Sequence, residues 1–194
     1  MKKNYDLIML NKLKELEGKK NLMLHSCCAP CSSYVIEELS NYFNITVYYY
    51  NPNISPKEEY EKRKAEQIRL LDILNVPYLD VDYNNNEFLS CIKDLEKERE
   101  GGKRCYECIL LRMQSTAKKA KDYDYFTTTL TLSPHKNSEV INNIGKLLES
   151  KYNIKYLYSD FKKRNGYKRS VELSRKYNLY RQDYCGCLFS KKEE

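Results

Sequence analysis

The chain has 194 residues, and Lys plus Arg outnumber Asp plus Glu by 34 to 27, for a formal net charge of +7. That length fits one domain with a core of its own. With a mean hydropathy of −0.77 and no apolar run near the roughly 20 residues of a membrane span, an integral membrane protein is excluded.

The opening residues carry Lys2 and Lys3, but their longest apolar run is Leu7 to Leu10. A secretory signal needs an apolar stretch of about 7–15 residues, so a cytoplasmic protein is expected. Apolar positions 7, 10, 13 and 16 predict a helix over 6–17. Asn21 to His25 (NLMLH) reads as a strand, followed by HSCCAPCSS and a helix over 32–40. Residues 45–50 (ITVYYY), β-branched and aromatic, predict a second strand. The loop NPNISP then leads into a charged helix over 57–74. A third strand is expected at 76–81, helices at 87–100 and 105–121, and a fourth strand at 125–130 (YFTTTL). A helix at 138–151, a strand at 154–158 and a helix at 169–177 complete the series.

No repeat, low-complexity tract or linker interrupts it, so a single domain over 1–194 is expected. Strands alternating with helices predict an α/β fold, a mainly parallel five-stranded sheet with helices on both faces. In such sheets ligands gather beyond the carboxyl ends of the strands. Cys27, Cys28, Asn51, Ser133 and Asp160 all fall at such ends. The segment HSCCAPCSS stands where nucleotide-binding folds keep a phosphate loop, yet it has no glycine, so an ATP site is not expected there.

Eight cysteines, about 4% of the chain, fall well short of a disulfide scaffold. Seven form three tight groups: Cys27-Cys28-x-x-Cys31, Cys105-x-x-Cys108 and Cys185-x-Cys187. In a reducing compartment such groups bind metal or do redox chemistry. Two C-x-x-C pairs would satisfy a zinc ion but leave Cys27, Cys185 and Cys187 over. An iron–sulfur cluster takes four thiolates with less regular spacing. A radical-SAM pattern would need a cysteine at 34, which is Tyr. Gly186 lets Cys185 and Cys187 turn toward one centre, or the pair could cycle as a dithiol. Cys91 stands alone and is read as a packing residue.

Residues 160–181 hold eight Lys and Arg against Asp160 and Glu172, which is nearly all of the chain's net charge. Concentrated positive charge attracts phosphate, and the 19 tyrosines offer rings for stacking bases, so RNA is an expected partner. Lys168, Arg169 and Arg181 are candidate substrate contacts on that segment. Asn51, Asn53, Tyr60 and Arg63, near the end of the second strand, are candidate pocket residues. Arg104 and Arg112, beside cysteines, could contact phosphate or lower a thiolate pKa. Candidate proton donors are His25, Asp160 and Tyr184, although a histidine in an apolar run is more often a core residue. A zinc-stapled, non-catalytic RNA-binding module and a thiol electron carrier remain alternatives on these residues alone.

The stretches LMLHSCCAPCSS, YYYNPNISPKEEYEKR, KRCYECILLRM, FTTTLTLSPHKN and YSDFKKRNGYKRSVELSRKYNLYRQDYCGCLFS together resemble the QueH family of cobalamin-independent epoxyqueuosine reductases. The resemblance runs over about 21–190 as a catalytic core and leaves the lysine-rich first twenty residues outside. It implies an adenine-nucleotide-hydrolase-like (HUP-like) α/β fold and reduction of epoxyqueuosine to queuosine at the tRNA wobble position. It also implies a 4Fe–4S cluster with a neighbouring metal or redox centre. Carried over residue by residue, Cys27, Cys28, Cys105 and Cys108 are the expected cluster ligands. Cys185 and Cys187 become a redox-active pair or ligands of a second, adjacent iron, with Cys31 a candidate ligand there, and Asp160 a candidate catalytic acid. The implied partners are tRNA bearing epoxyqueuosine and an electron donor of unidentified kind, with no membrane.

Overall fold

The apolar runs of the sequence pair side by side. In the computed structural model, which describes residues 3–191, β1 (Lys20–His25), β2 (Phe43–Tyr48), β3 (Tyr78–Leu79), β4 (Tyr125–Thr128) and β5 (Lys155–Tyr156) form one sheet in the order β3-β2-β1-β4-β5. Every pairing is parallel. Positions 1–2 and 192–194, the outermost parts of the expected 1–194 domain, lie outside the described residues.

Among the described residues seven α-helices accompany the strands: α1 (Tyr5–Lys14), α2 (Ala29–Leu39), α3 (Lys57–Leu74), α4 (Asn85–Cys91), α5 (Lys103–Lys119), α6 (Ser138–Tyr152) and α7 (Gly166–Lys176). Side chains alternate across a strand, and β1 divides accordingly between two cores. Leu22 and Leu24 pack with α1, α2 and α7 residues such as Met9, Val35 and Leu173. Met23 packs on the other face with Met113 of α5 and Ile144 of α6. The expected parallel sheet with helices on both faces is thus observed. No helix among the described residues is long and apolar enough to cross a membrane.

Several boundaries differ from expectation for local reasons. In α1 the buried face is Tyr5, Asp6, Met9 and Leu13, whereas Leu7 is half exposed. Tyr5 stacks on Tyr158 and Asp6 pairs with Arg164, and these contacts set the rotation of the helix. The helix expected over 87–100 ends at Cys91, because Ile92 turns into the core and Asp94 adopts φ +66°. Helix α2 begins earlier than expected, with Cys28 at its N-cap and Pro30 in its first turn. Proline at that position suits a helix start, and the result is that Cys31 sits in the first helical turns.

Following β1, the chain moves to β2 and β3 on one side and then crosses to β4 and β5 on the other. The gap beyond the carboxyl ends of β1 and β4 is therefore the topological switch point, where ligands of such sheets bind. Cys27 and Thr129 face each other across it: the Cys27 N–H donates to Thr129 Oγ1 at 3.1 Å, and the Thr129 hydroxyl donates to Cys27 Sγ at 3.2 Å.

Candidate metal and redox site

The switch point is built from sulfur. The Sγ atoms of Cys27, Cys28 and Cys31 lie within 4.8 Å of one another, and those of Cys27 and Cys28 are 3.7 Å apart. The Cys28 and Cys31 thiols donate toward Cys27 and, with Thr129 and Lys136, hold Cys27 well below the ordinary thiol range despite burial. The donating partner is pushed the other way, Cys28 to about 12. Cys27 is thus the most favoured thiolate of the three, and the triad could take a metal ion because thiolate is the ligand form.

Cys105, Cys108, Cys185 and Cys187 line an adjoining cleft with Asn53, Arg104, Tyr106, Arg112, His135 and Lys136. Cys105 and Cys108 lie one turn apart on α5, so both face the same side. Burial pushes Cys108 up to about 12. All eight cysteines are free thiols.

Two cations join the groups. Arg112 is 2% exposed; its Nε donates to the Cys108 carbonyl and its Nη1 to Asn51 Oδ1, both at 3.3 Å. Burial pulls its pKa down, but Cys108, Cys185, Cys27 and Cys187 more than offset this and hold it above its ordinary value. Arg112 therefore cannot reach an RNA phosphate and instead supplies positive charge to the thiols. Lys136 donates to Cys185 Sγ at 3.3 Å. Burial lowers its pKa, while Cys185 and Cys27 raise it further than that, so it stays an ammonium. Lys136 lies in the SPHKN stretch after β4 and was not singled out in the sequence. The strand-end rule that marked Ser133 would have found it.

The last cysteine pair is held by loop contacts. Arg63, 2% exposed, stacks on the Tyr184 ring at 4.7 Å and donates to the carbonyls of Tyr184 and Cys185 at 3.4 Å. Ser55 N–H donates to the Gly186 carbonyl at 2.8 Å, and Tyr184 Oη donates to the Ser55 carbonyl at 2.8 Å. Tyr60 is 1% exposed and packs with Tyr49 and Ile54. Arg63 and Tyr60 therefore build the seat of the C-terminal loop and do not face the cleft. Asn51 donates to the Ser26 carbonyl at 2.8 Å and accepts from Arg112. Asn53, also 1% exposed, has no hydrogen-bond partner for either side-chain atom.

The other candidates lie elsewhere. Asp160 accepts from Lys162 at 2.5 Å and from Ser138 at 3.1 Å, away from the cleft walls. Lys168 and Arg169 line a separate groove with Glu37, Glu38 and Glu172, where Arg169 pairs with Glu37 and Glu172. Arg181 bonds to Ser174 and Tyr167. Arg164 pairs with Asp6 and Glu38. The charge count along 160–181 does not show the pairings with Asp6, Glu37 and Glu38, because those acids come from α1 and α2. Arg104 is 4% exposed, donates to the Glu96 and Glu98 carbonyls and lies over the Phe189 ring.

His25 is a core histidine. The Tyr50 carbonyl, 3.2 Å from Nε2, can only accept, so Nε2 carries the proton and Nδ1 accepts from Thr128 Oγ1 at 2.9 Å. Burial lowers its pKa to about 3. In the unfolded chain it returns to about 6.5, so below that pH the unfolded state takes up a proton that the folded state refuses, and stability falls. Urea unfolding should show a loss of about 2 kcal/mol between pH 7 and pH 5 that is absent in His25→Asn. Equal pH slopes in both proteins would refute it.

Sulfur is the chemistry this site has to offer, that of an α/β protein whose cysteine triad could bind a metal. The family model described as Epoxyqueuosine reductase QueH matches residues 22–193. Among relatives named epoxyqueuosine reductase QueH, that of Streptococcus pyogenes serotype M1 is 44% identical over 97% of this chain and 78% of its own length. That of Staphylococcus epidermidis is 42% identical over 96% and 84%, and that of Staphylococcus aureus 40% over 98% and 85%. The chain belongs to the epoxyqueuosine reductase QueH family.

Proposed function

We propose that this chain reduces the epoxide of epoxyqueuosine, at the wobble position of tRNA, to the alkene of queuosine by iron–sulfur-mediated two-electron transfer. The observation that carries the reading is a thiol triad at the switch point, Cys27, Cys28 and Cys31, beside a cleft lined by four more thiols and the buried Arg112. Removing the epoxide oxygen as water takes two electrons and two protons. The sequence has no glycine-rich dinucleotide loop, so the two electrons, supplied by an external donor, would pass through metal or thiols of this site.

The donor set fits an iron–sulfur centre: free thiols in excess of four, one already favoured as thiolate, with cations beside them to offset their charge. Cys27, Cys28, Cys105 and Cys108 would hold the cluster. Arg112 would offset thiolate charge from Cys27 and Cys108 in that arrangement, as it would for Cys185 and Cys187. Such a cluster, when bound, supplies electrons one at a time at low potential. Cys185 and Cys187 would act as a dithiol beside it or, with Cys31, hold a second iron. Lys136 keeps a proton 3.3 Å from Cys185 Sγ and is better placed than Asp160 to deliver one within the cleft. Exposed Lys163, Lys168, Arg175 and Lys176, without ion pairs among the described residues, remain to meet the tRNA backbone.

Anaerobic incubation with epoxyqueuosine-containing tRNA and a low-potential reductant should yield a nucleoside lighter by one oxygen. No such product from iron-loaded protein would defeat the proposal. A colourless protein with stoichiometric zinc would instead favour the zinc-stapled module. Cys108→Ala should lose iron and all turnover. Cys91→Ala should keep both within twofold and lose only about 1 kcal/mol of stability, since it is a partly buried packing residue whose thiol makes one long hydrogen bond, to the Glu107 carbonyl. Loss of iron in Cys91→Ala would reassign that residue.

A further inference from the structure

An amide with nothing to bond stands in the wall of the cysteine cleft. Asn53 lines the cleft, is 1% exposed, and leaves both Oδ1 and Nδ2 without partners. Buried polar groups are almost always paired, and an unpaired one is a standing cost of folding. Disorder is no explanation, because the surrounding loop is held on all sides. Ile54 N–H donates to the Asn51 carbonyl, Asn85 to the Pro52 carbonyl, Tyr83 to the Ile54 carbonyl, and Ser55 N–H to the Gly186 carbonyl. The amide is fixed in place and waits for a partner.

The amide stands beside Gly186. A Cβ built on Gly186 would stand 3.3 Å from Asn53 Nδ2, so the missing side chain leaves the amide facing the backbone between Cys185 and Cys187. The neighbouring protein atoms give it no bond. Its partner is therefore an atom brought into the cleft, beside the sulfur atoms that do the chemistry.

We propose that Asn53 distinguishes substrate from product, its Nδ2 donating to the epoxide oxygen that the reaction removes. This rests on the reductase reading above. An epoxide oxygen can only accept a hydrogen bond, and an amide N–H is a neutral donor that leaves the reductive chemistry to sulfur. When the oxygen departs as water the alkene offers no acceptor, and the amide is orphaned again. A site built to hydrogen-bond a group rejects the analogue that lacks it. Asn53 thus tightens the complex before reduction and loosens it afterwards, which favours release of the finished tRNA.

The test is equilibrium binding of the metal-loaded chain, without reductant, to tRNA bearing epoxyqueuosine and to the same tRNA bearing queuosine. The unaltered chain should prefer the epoxide form by about ten- to hundredfold, the effect of one unmade bond to a buried donor. In Asn53→Ala and in the equally sized Asn53→Asp, the preference should fall to within about threefold, with affinity for queuosine-tRNA unchanged. The melting temperature of Asn53→Ala should be no lower than that of the unaltered chain, because a buried unpaired amide has been removed. A preserved preference in both variants, an equal weakening toward both tRNAs, or a changed cluster spectrum with the preference intact would overturn the inference. If the unaltered chain does not reduce the epoxide at all, it is the reductase reading that fails. If it reduces the epoxide while the variants keep the preference, only the role of Asn53 fails.

Discussion

Gly186→Ala should lower kcat/KM for epoxyqueuosine-tRNA by about a hundredfold or more while the protein stays folded. Gly186 adopts φ +124°, a region that L side chains rarely enter, so any side chain there is strained by about 1–3 kcal/mol. The space is also filled: an alanine methyl would stand 2.9 Å from Ile54 Cγ1 and 3.2 Å from Arg63 Nη1. Neither neighbour can give way easily, since Ile54 is 1% exposed and Arg63 is held by Glu59 and the Tyr184 ring. The loop must therefore lift, and Cys185 and Cys187 lift with it. Misplacing reacting groups by about 1 Å costs on the order of a hundredfold in rate. The sheet takes no part in the loop, so circular dichroism should be unchanged. Turnover within a factor of three of the unaltered chain would show that the position of this pair does not matter.

Arg112→Met should strip the site of iron without unfolding the metal-free chain. The guanidinium is a buried cation, held above its ordinary pKa by Cys108, Cys185, Cys27 and Cys187. Remove the charge, and every thiol around it becomes harder to deprotonate, so metal is held about 10–100-fold more weakly. The metal-free chain responds differently. Without metal most of the surrounding thiols are held protonated by burial, so the buried Arg is largely a desolvation burden, and an apolar residue of similar length can replace it at little cost. Iron and sulfide per chain, measured after anaerobic reconstitution and gel filtration, should drop steeply, whereas the melting temperature of the metal-free protein should move by only a few degrees. Arg112→Lys should recover part of the iron, because it restores charge without the forked contacts to Asn51 and Cys108. Full iron content in Arg112→Met would contradict this account.

Local pattern and long-range contact divide what could be read in advance. Helix α3 falls at the expected 57–74, and the parallel sheet and the placement of Cys27 at a strand end follow from apolar runs and their order. The three cysteine groups were visible as spacing alone. Their partners were not. Arg63 reads in sequence as a candidate pocket residue or a member of a helix ion pair, and only the return of the chain at 184–185 makes it a buried clamp. Arg112 and Lys136 owe their roles to thiols from other segments. The basic stretch 160–181 loses much of its apparent charge to Asp6, Glu37 and Glu38, acids far away in sequence. Apolar periodicity likewise placed a helix in the right region at α1 but set its face wrongly, because Tyr5 found Tyr158.

Because every strand runs the same way, all this chemistry lies at one edge of the sheet, and the opposite edge carries none of it. There Lys19, Asn44, Asn75 and Asp122 border an open surface before the first residues of β1 to β4. The six residues of β1 separate the two edges by about 20 Å. That rear surface is the natural point of attachment for an electrode tether or an affinity handle: protein immobilised through it would present its sulfur-lined mouth outward, so that current and tRNA could be supplied from opposite sides of the same molecule.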